Sequence, residues 1–120
     1  QRPKSNTPVA ALNLLNDPTF VEAARVFAER ILKESKPDNF ARLHHAFDLA
    51  LNRKPTTEER DTIGQLLTYA EADFKKNPNS ATAIINIGQT KPENLDAIAL
   101  ASWTTVSRAI LNLSETTTRN

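Results

Sequence analysis

The stretch LDAIALASWTTVSRAILNL, residues Leu95–Leu113, decides the fold. Its apolar residues Leu95, Ile98, Ala99, Trp103, Val106, Ile110 and Leu113 recur with the period of a helix, not of a strand. They also spread more widely than one stripe. A surface helix needs a single apolar face, so this breadth predicts a central helix touched on more than one side. Trp103, the only tryptophan, is read as a core anchor within it; an exposed interface anchor is the sharper alternative, since tryptophan is enriched at such sites. The polar end, Ser114 to Asn120, is expected to fray.

Outward from this helix the same period recurs between proline-bearing breaks, and strict apolar–polar alternation is absent. Thr7-Pro8 opens a short helix through Leu15, after a polar segment carrying Pro3. Asp17 caps a second, running to about Glu34, with Phe20, Ala24, Phe27, Ile31 and Leu32 inward. Its outer face pairs Arg25 with Glu29 and Glu29 with Lys33, each contributing a few tenths of a kcal/mol. A third helix spans about Asn39–Leu51, with Phe40, Leu43, Phe47, Ala50 and Leu51 on one side. Thr56 and Glu59 have capping-box spacing and open a fourth that ends near Lys76, with Ile63, Leu66, Leu67, Ala70 and Phe74 inward. Ser80 is read as the cap of a short helix Ala81–Ile87, stopped by Gly88 in a left-handed conformation. The expected fold is all-α: an irregular bundle of about six helices in one domain over residues 1–120.

The totals agree with an ordinary globular domain. At 120 residues, with 39% hydrophobic and 24% charged residues, the chain can bury a core without a staple. A net charge of +1 gives no bias towards nucleic acid or anionic lipid. The absence of cysteine rules out disulfides, thiolate catalysis, cysteine zinc sites and covalent c-type haem in this chain. No apolar run is long enough to span a membrane. With no methionine and a start at Gln1, the chain reads as a processed protein or as part of a longer one.

Few residues invite a chemical reading. His44, His45 and Asp48 are the candidates for a metal, and His44 and Asp48 share a helix face. A metal needs three or four ligands, so His44 is read instead as a core-edge histidine hydrogen-bonded to a neighbour, and His45 as solvated. Glu58, Glu59 and Asp61 cluster in a first turn, where capping and the helix dipole already account for them. Arg53-Lys54 and Lys75-Lys76 sit where helices end, without the aromatic interleaving of a nucleic-acid surface. Asn112-Leu113-Ser114 fits the glycosylation triplet but falls at a helix end. No catalytic residue, cofactor or small-molecule ligand is assigned.

The stretch Ser5–Arg25, SNTPVAALNLLNDPTFVEAAR, resembles the planctomycete-type domain-of-unknown-function family 1553. Asn52–Thr56, Ala101–Val106 and Leu111–Glu115 resemble it more weakly, in the same order and spacing. The likeness is to the C-terminal part of that domain, which often follows cytochrome c-like and other domains in exported proteins. It implies the end of a longer polypeptide in the periplasm or at the cell surface, and it carries no site residues. The expected role is a non-catalytic packing or interaction domain, partnered by other domains of the same polypeptide or by another protein. A supporting segment of an extracytoplasmic enzyme or redox protein, or a free-standing helical adaptor, are the alternatives.

Overall fold

The computed structural model describes residues 17–118. The expected helix over Thr7–Leu15 lies outside them. Five helices follow in order: α1 Pro18–Glu34, α2 Asn39–Leu51, α3 Thr57–Lys76, α4 Pro78–Ile85 and α5 Ala97–Thr118. No strand occurs among the described residues.

Local chemistry sets most of the boundaries. Asp17 accepts from the Thr19 amide at 2.8 Å, and Pro18 occupies the first turn, where its missing N–H is no loss. Asp38 accepts from Ala41 N at 3.2 Å to open α2, which closes on Asn52 in the left-handed region at φ 57°. At the start of α3, Glu59 N donates to Thr56 Oγ1 at 3.1 Å and Thr56 N donates to Glu59 Oε1 at 2.9 Å, so the capping box is complete. Replacing Asp17 or Thr56 with alanine orphans first-turn amides, and each variant is expected to lose about 0.5–2 kcal/mol in urea unfolding. No loss at either position would mean that these oxygens do not hold the helix starts.

The last two helices differ from the expected bounds. α4 starts at Pro78, whose fixed φ suits a first turn, and no side chain caps it, so Ser80 is inside the helix. Asn86 closes it, its Nδ2 donating to Thr82 O at 2.7 Å, and Gly88 takes its positive φ of 107° in the loop beyond. α5 starts at Ala97 because Asp96 Oδ2 accepts from Ala99 N at 2.8 Å. It does not fray at Ser114 but continues to Thr118, with Ser114 Oγ donating to Ala50 O at 2.8 Å.

The core is built around α5, which packs against all four other helices. Five consecutive residues, Leu100–Thr104, are buried, so this part of the helix is enclosed all round. Ala101, Ser102 and Ser107 are small enough to let neighbouring helices approach, while Trp103, Val106 and Ile110 fill the space between them. Thr104 Oγ1 is satisfied by Leu100 O at 2.7 Å.

Two apolar stripes are set differently from the expected ones. α1 buries Val21, Ala24, Arg25, Ala28, Glu29 and Ile31, so the Arg25–Glu29 pair lies inside rather than on the outer face. Phe20 and Phe27 are only half-buried. On α2, Leu43, Ala46 and Phe47 are buried, but Phe40 is 55% exposed.

Candidate functional site

Two arrangements stand apart from ordinary helix packing: a buried polar clasp and an open apolar groove. The clasp joins α1 to the loop before α5. Arg25 is only 1% exposed, yet its Nη1 donates to Glu29 Oε2 at 2.8 Å and Lys91 O at 3.1 Å. Its Nη2 donates to Thr90 O at 2.9 Å and Thr90 Oγ1 at 2.6 Å. Glu29 Oε2 also accepts from Glu93 N at 2.9 Å. Glu22 Oε2 accepts from the amides of Gln89 at 3.1 Å and Thr90 at 2.7 Å and from the Thr90 hydroxyl. The Thr90 hydroxyl, its amide and that of Gln89 hold the Glu22 carboxyl below its ordinary range. Lys33 and Glu93 close the outer edge at 3.0 Å.

Glu22, Arg25, Glu29 and Lys33 recur along one side of α1, so a single helix face presents alternating charges to a loop with many backbone groups to satisfy. Gly88 is required here: a Cβ on it would collide with the Glu22 side chain, and its positive φ would strain any other residue. The arrangement binds the chain to itself, α1 to the loop before α5.

The groove lies between α2 and α3, with Trp103 of α5 in its lining. Phe40, Leu43, Ile63, Gly64 and Leu67 supply apolar walls around about 160 Å³. Arg60 is its only charged lining residue, with the guanidinium 6.0 Å from the Phe40 ring centroid. The His44 ring also packs on Phe40, at 4.2 Å between centroids. A wider, shallower depression of about 620 Å³ lies across α3, α4 and α5 beside Tyr69. Burial there lowers the pKa of Arg108.

The histidines differ from their expected surroundings. His44 is partly buried, but its Nε2 has no hydrogen-bond partner among the described residues; the Phe40 ring is its neighbour instead. His45 is not simply solvated, since its Nε2 lies 2.7 Å from Glu34 Oε1. That carboxyl is lowered by Arg30 and then by His45. Asp48 is exposed. Among the described residues no group of three or more His, Asp or Glu side chains comes together as a metal site, and no helix is long and apolar enough to cross a membrane. Asn112-Leu113-Ser114 lies within α5, whose backbone is already helical there.

Of the acidic cluster, Glu59 serves the capping box and pairs with Arg53, whose Nη1 and Nη2 reach its two oxygens at 2.7 and 2.9 Å. Arg53 first, and then Thr56, lower its pKa from 4.5 to about 2. The folded chain thus binds this proton more weakly than the unfolded chain. The resulting stabilisation is complete above the unfolded value and disappears as pH falls from about 4.5 through about 2. Glu59→Gln is expected to lower stability at pH 7 by at most about 2 kcal/mol, because Arg53 is half solvated. Its urea midpoint should converge with that of the parent chain in acid. A constant gap from pH 7 to pH 2 would refute the linkage.

Neither the clasp nor the groove was visible as a site in the sequence. The only sequence signals were Arg25 between Ala24 and Ala28, and Gly64 inside a helical pattern. No curated protein and no solved structure matches this chain. A family model described as a protein of unknown function (DUF1553) matches residues 1–67, which include α1, α2 and the first half of α3. That match spans more than half of the 120 residues, and the chain belongs to the DUF1553 family.

Proposed function

We propose that this chain is a non-catalytic helical packing and interaction domain of a larger exported protein. The observation that carries the reading is Phe40, 55% exposed at the rim of an apolar groove rather than folded into the core. Apolar surface of this kind is what a domain keeps for a neighbour. The ionisable groups point the same way: Glu22, Arg25, Glu29, Arg53 and Glu59 are all engaged in holding helices and loops together. A periplasmic or cell-surface location is what the family resemblance implies.

The test is association in trans. The 120-residue chain and the rest of the longer polypeptide, produced separately, should elute together as a one-to-one complex in size-exclusion chromatography with light scattering. Independent elution at micromolar concentrations would overturn the reading.

A further inference from the structure

The groove beside Phe40 has a size and, among the described residues, an unpaired rim charge that together describe what it accepts. Its volume of about 160 Å³ is close to that of apolar cavities (~150 Å³) that take up a benzene ring. One aromatic or branched aliphatic side chain fits; a whole helix does not.

Gly64 keeps one wall low. It lies inside α3, where glycine is disfavoured by about 1 kcal/mol relative to alanine, yet a Cβ on it would meet nothing within 4 Å. No contact within the described chain accounts for this glycine. It leaves open the space through which an incoming backbone can approach.

The charge is specific. Arg60 makes no ion pair among the described residues, in contrast to Arg25, Arg30 and Arg53, which all do. It stands over Phe40 at the groove rim, where a carboxylate on an occupant would meet it. Trp103, 1% exposed, is part of the lining and joins the groove to the core.

We propose that this groove is a docking site for a protein segment that inserts one aromatic or branched aliphatic side chain with a carboxylate beside it. The proposal rests on the interaction-domain reading and names the surface and chemistry that serve it. The bare side-chain chemistry can be probed with 3-phenylpropionate and, as its neutral counterpart, 3-phenylpropan-1-ol. The chain has two glycines and one tryptophan, so the Gly64 amide and the Trp103 indole N–H are readily assigned in a proton–nitrogen correlation spectrum, and Gly88 is an internal control.

Both probes should shift Gly64 and Trp103 and leave Gly88 in place, the acid binding about three-fold tighter than the alcohol. Arg60→Gln should remove that preference while retaining alcohol binding. Gly64→Leu should abolish binding of both and, because leucine favours helix over glycine, should keep the circular dichroism of the parent chain. No shift at Gly64 and Trp103 up to about 20 mM probe, or equal affinity for acid and alcohol, overturns the proposal. In the association experiment, equal binding of the parent and Gly64→Leu chains overturns the groove and leaves the domain reading standing. No association by either removes the domain reading itself.

Discussion

Arg25→Ala is expected to cost about 3–5 kcal/mol, the loss seen when one member of a buried ion pair is removed. The sequence alone suggests ten-fold less, because four-residue spacing on a helix surface is worth only a few tenths. The difference is burial. At 1% exposure, Arg25 is cut off from water, and its removal strands a carboxylate and two carbonyls and leaves a void. Glu29, itself 5% exposed, is left with Glu93 N as its remaining partner. The carbonyls of Thr90 and Lys91 lose their donors. A cavity opens where the guanidinium stem lay. Arg25→Met with Glu29→Gln should recover much of the loss, because no buried charge remains and the amide oxygen can still accept from Glu93 N. Hydrogen exchange supplies the local measurement: the amides of Thr90 and Glu93 should lose protection in Arg25→Ala more than the amides of α5 do. A loss below about 1 kcal/mol with protected loop amides would mean that the clasp decorates the fold rather than holding it.

What was legible in the sequence was short-range. Asp17, and Thr56 with Glu59, act on amides two or three residues away, so their spacing contains the whole interaction. The width of the apolar face around Trp103 likewise belongs to one segment, and it placed α5 at the centre correctly. The Arg25–Glu29 pairing is legible from its spacing, but the loop partners of Arg25 lie 65 and 66 residues along the chain, and nothing near Arg25 names them. The α1 stripe departs from its expected residues for a related reason. Ala24 and Ala28 are compatible with an inner face turned towards either Phe20 and Phe27 or Val21 and Arg25, and only the loop's demand for donors and acceptors decides. His45 was read as solvated because Glu34, its partner, belongs to another helix. Phe40 has the right spacing for the core, but spacing gives the face of a helix and not the point where its neighbours stop covering it. The groove depends on that end effect, on Gly64 and on Trp103, which three separate helices contribute.

Trp103→Ala is expected to cost about 3–5 kcal/mol and to take the chain close to the limit of a small domain's stability. Trp103 is the largest of the fully buried side chains, and it sits in the cluster that joins Phe47, Ile63, Leu67 and Ile110. Truncation to a methyl group removes a ring of about 200 Å² and widens the α2–α3 groove into the core. Trp103→Phe separates the two properties of this residue. Phenylalanine keeps most of the apolar area and discards the indole N–H, which has no partner among the described residues. The lost contacts and the relieved donor then oppose each other, so a change within about 1 kcal/mol of the parent is expected. Urea unfolding of the two variants gives both values. Fluorescence provides an independent check, since a residue 1% exposed should emit in the blue and resist quenching by iodide. Red-shifted, freely quenched emission together with an unchanged Trp103→Ala midpoint would place the indole at the surface. It would also remove the residue around which α2, α3 and α5 are packed.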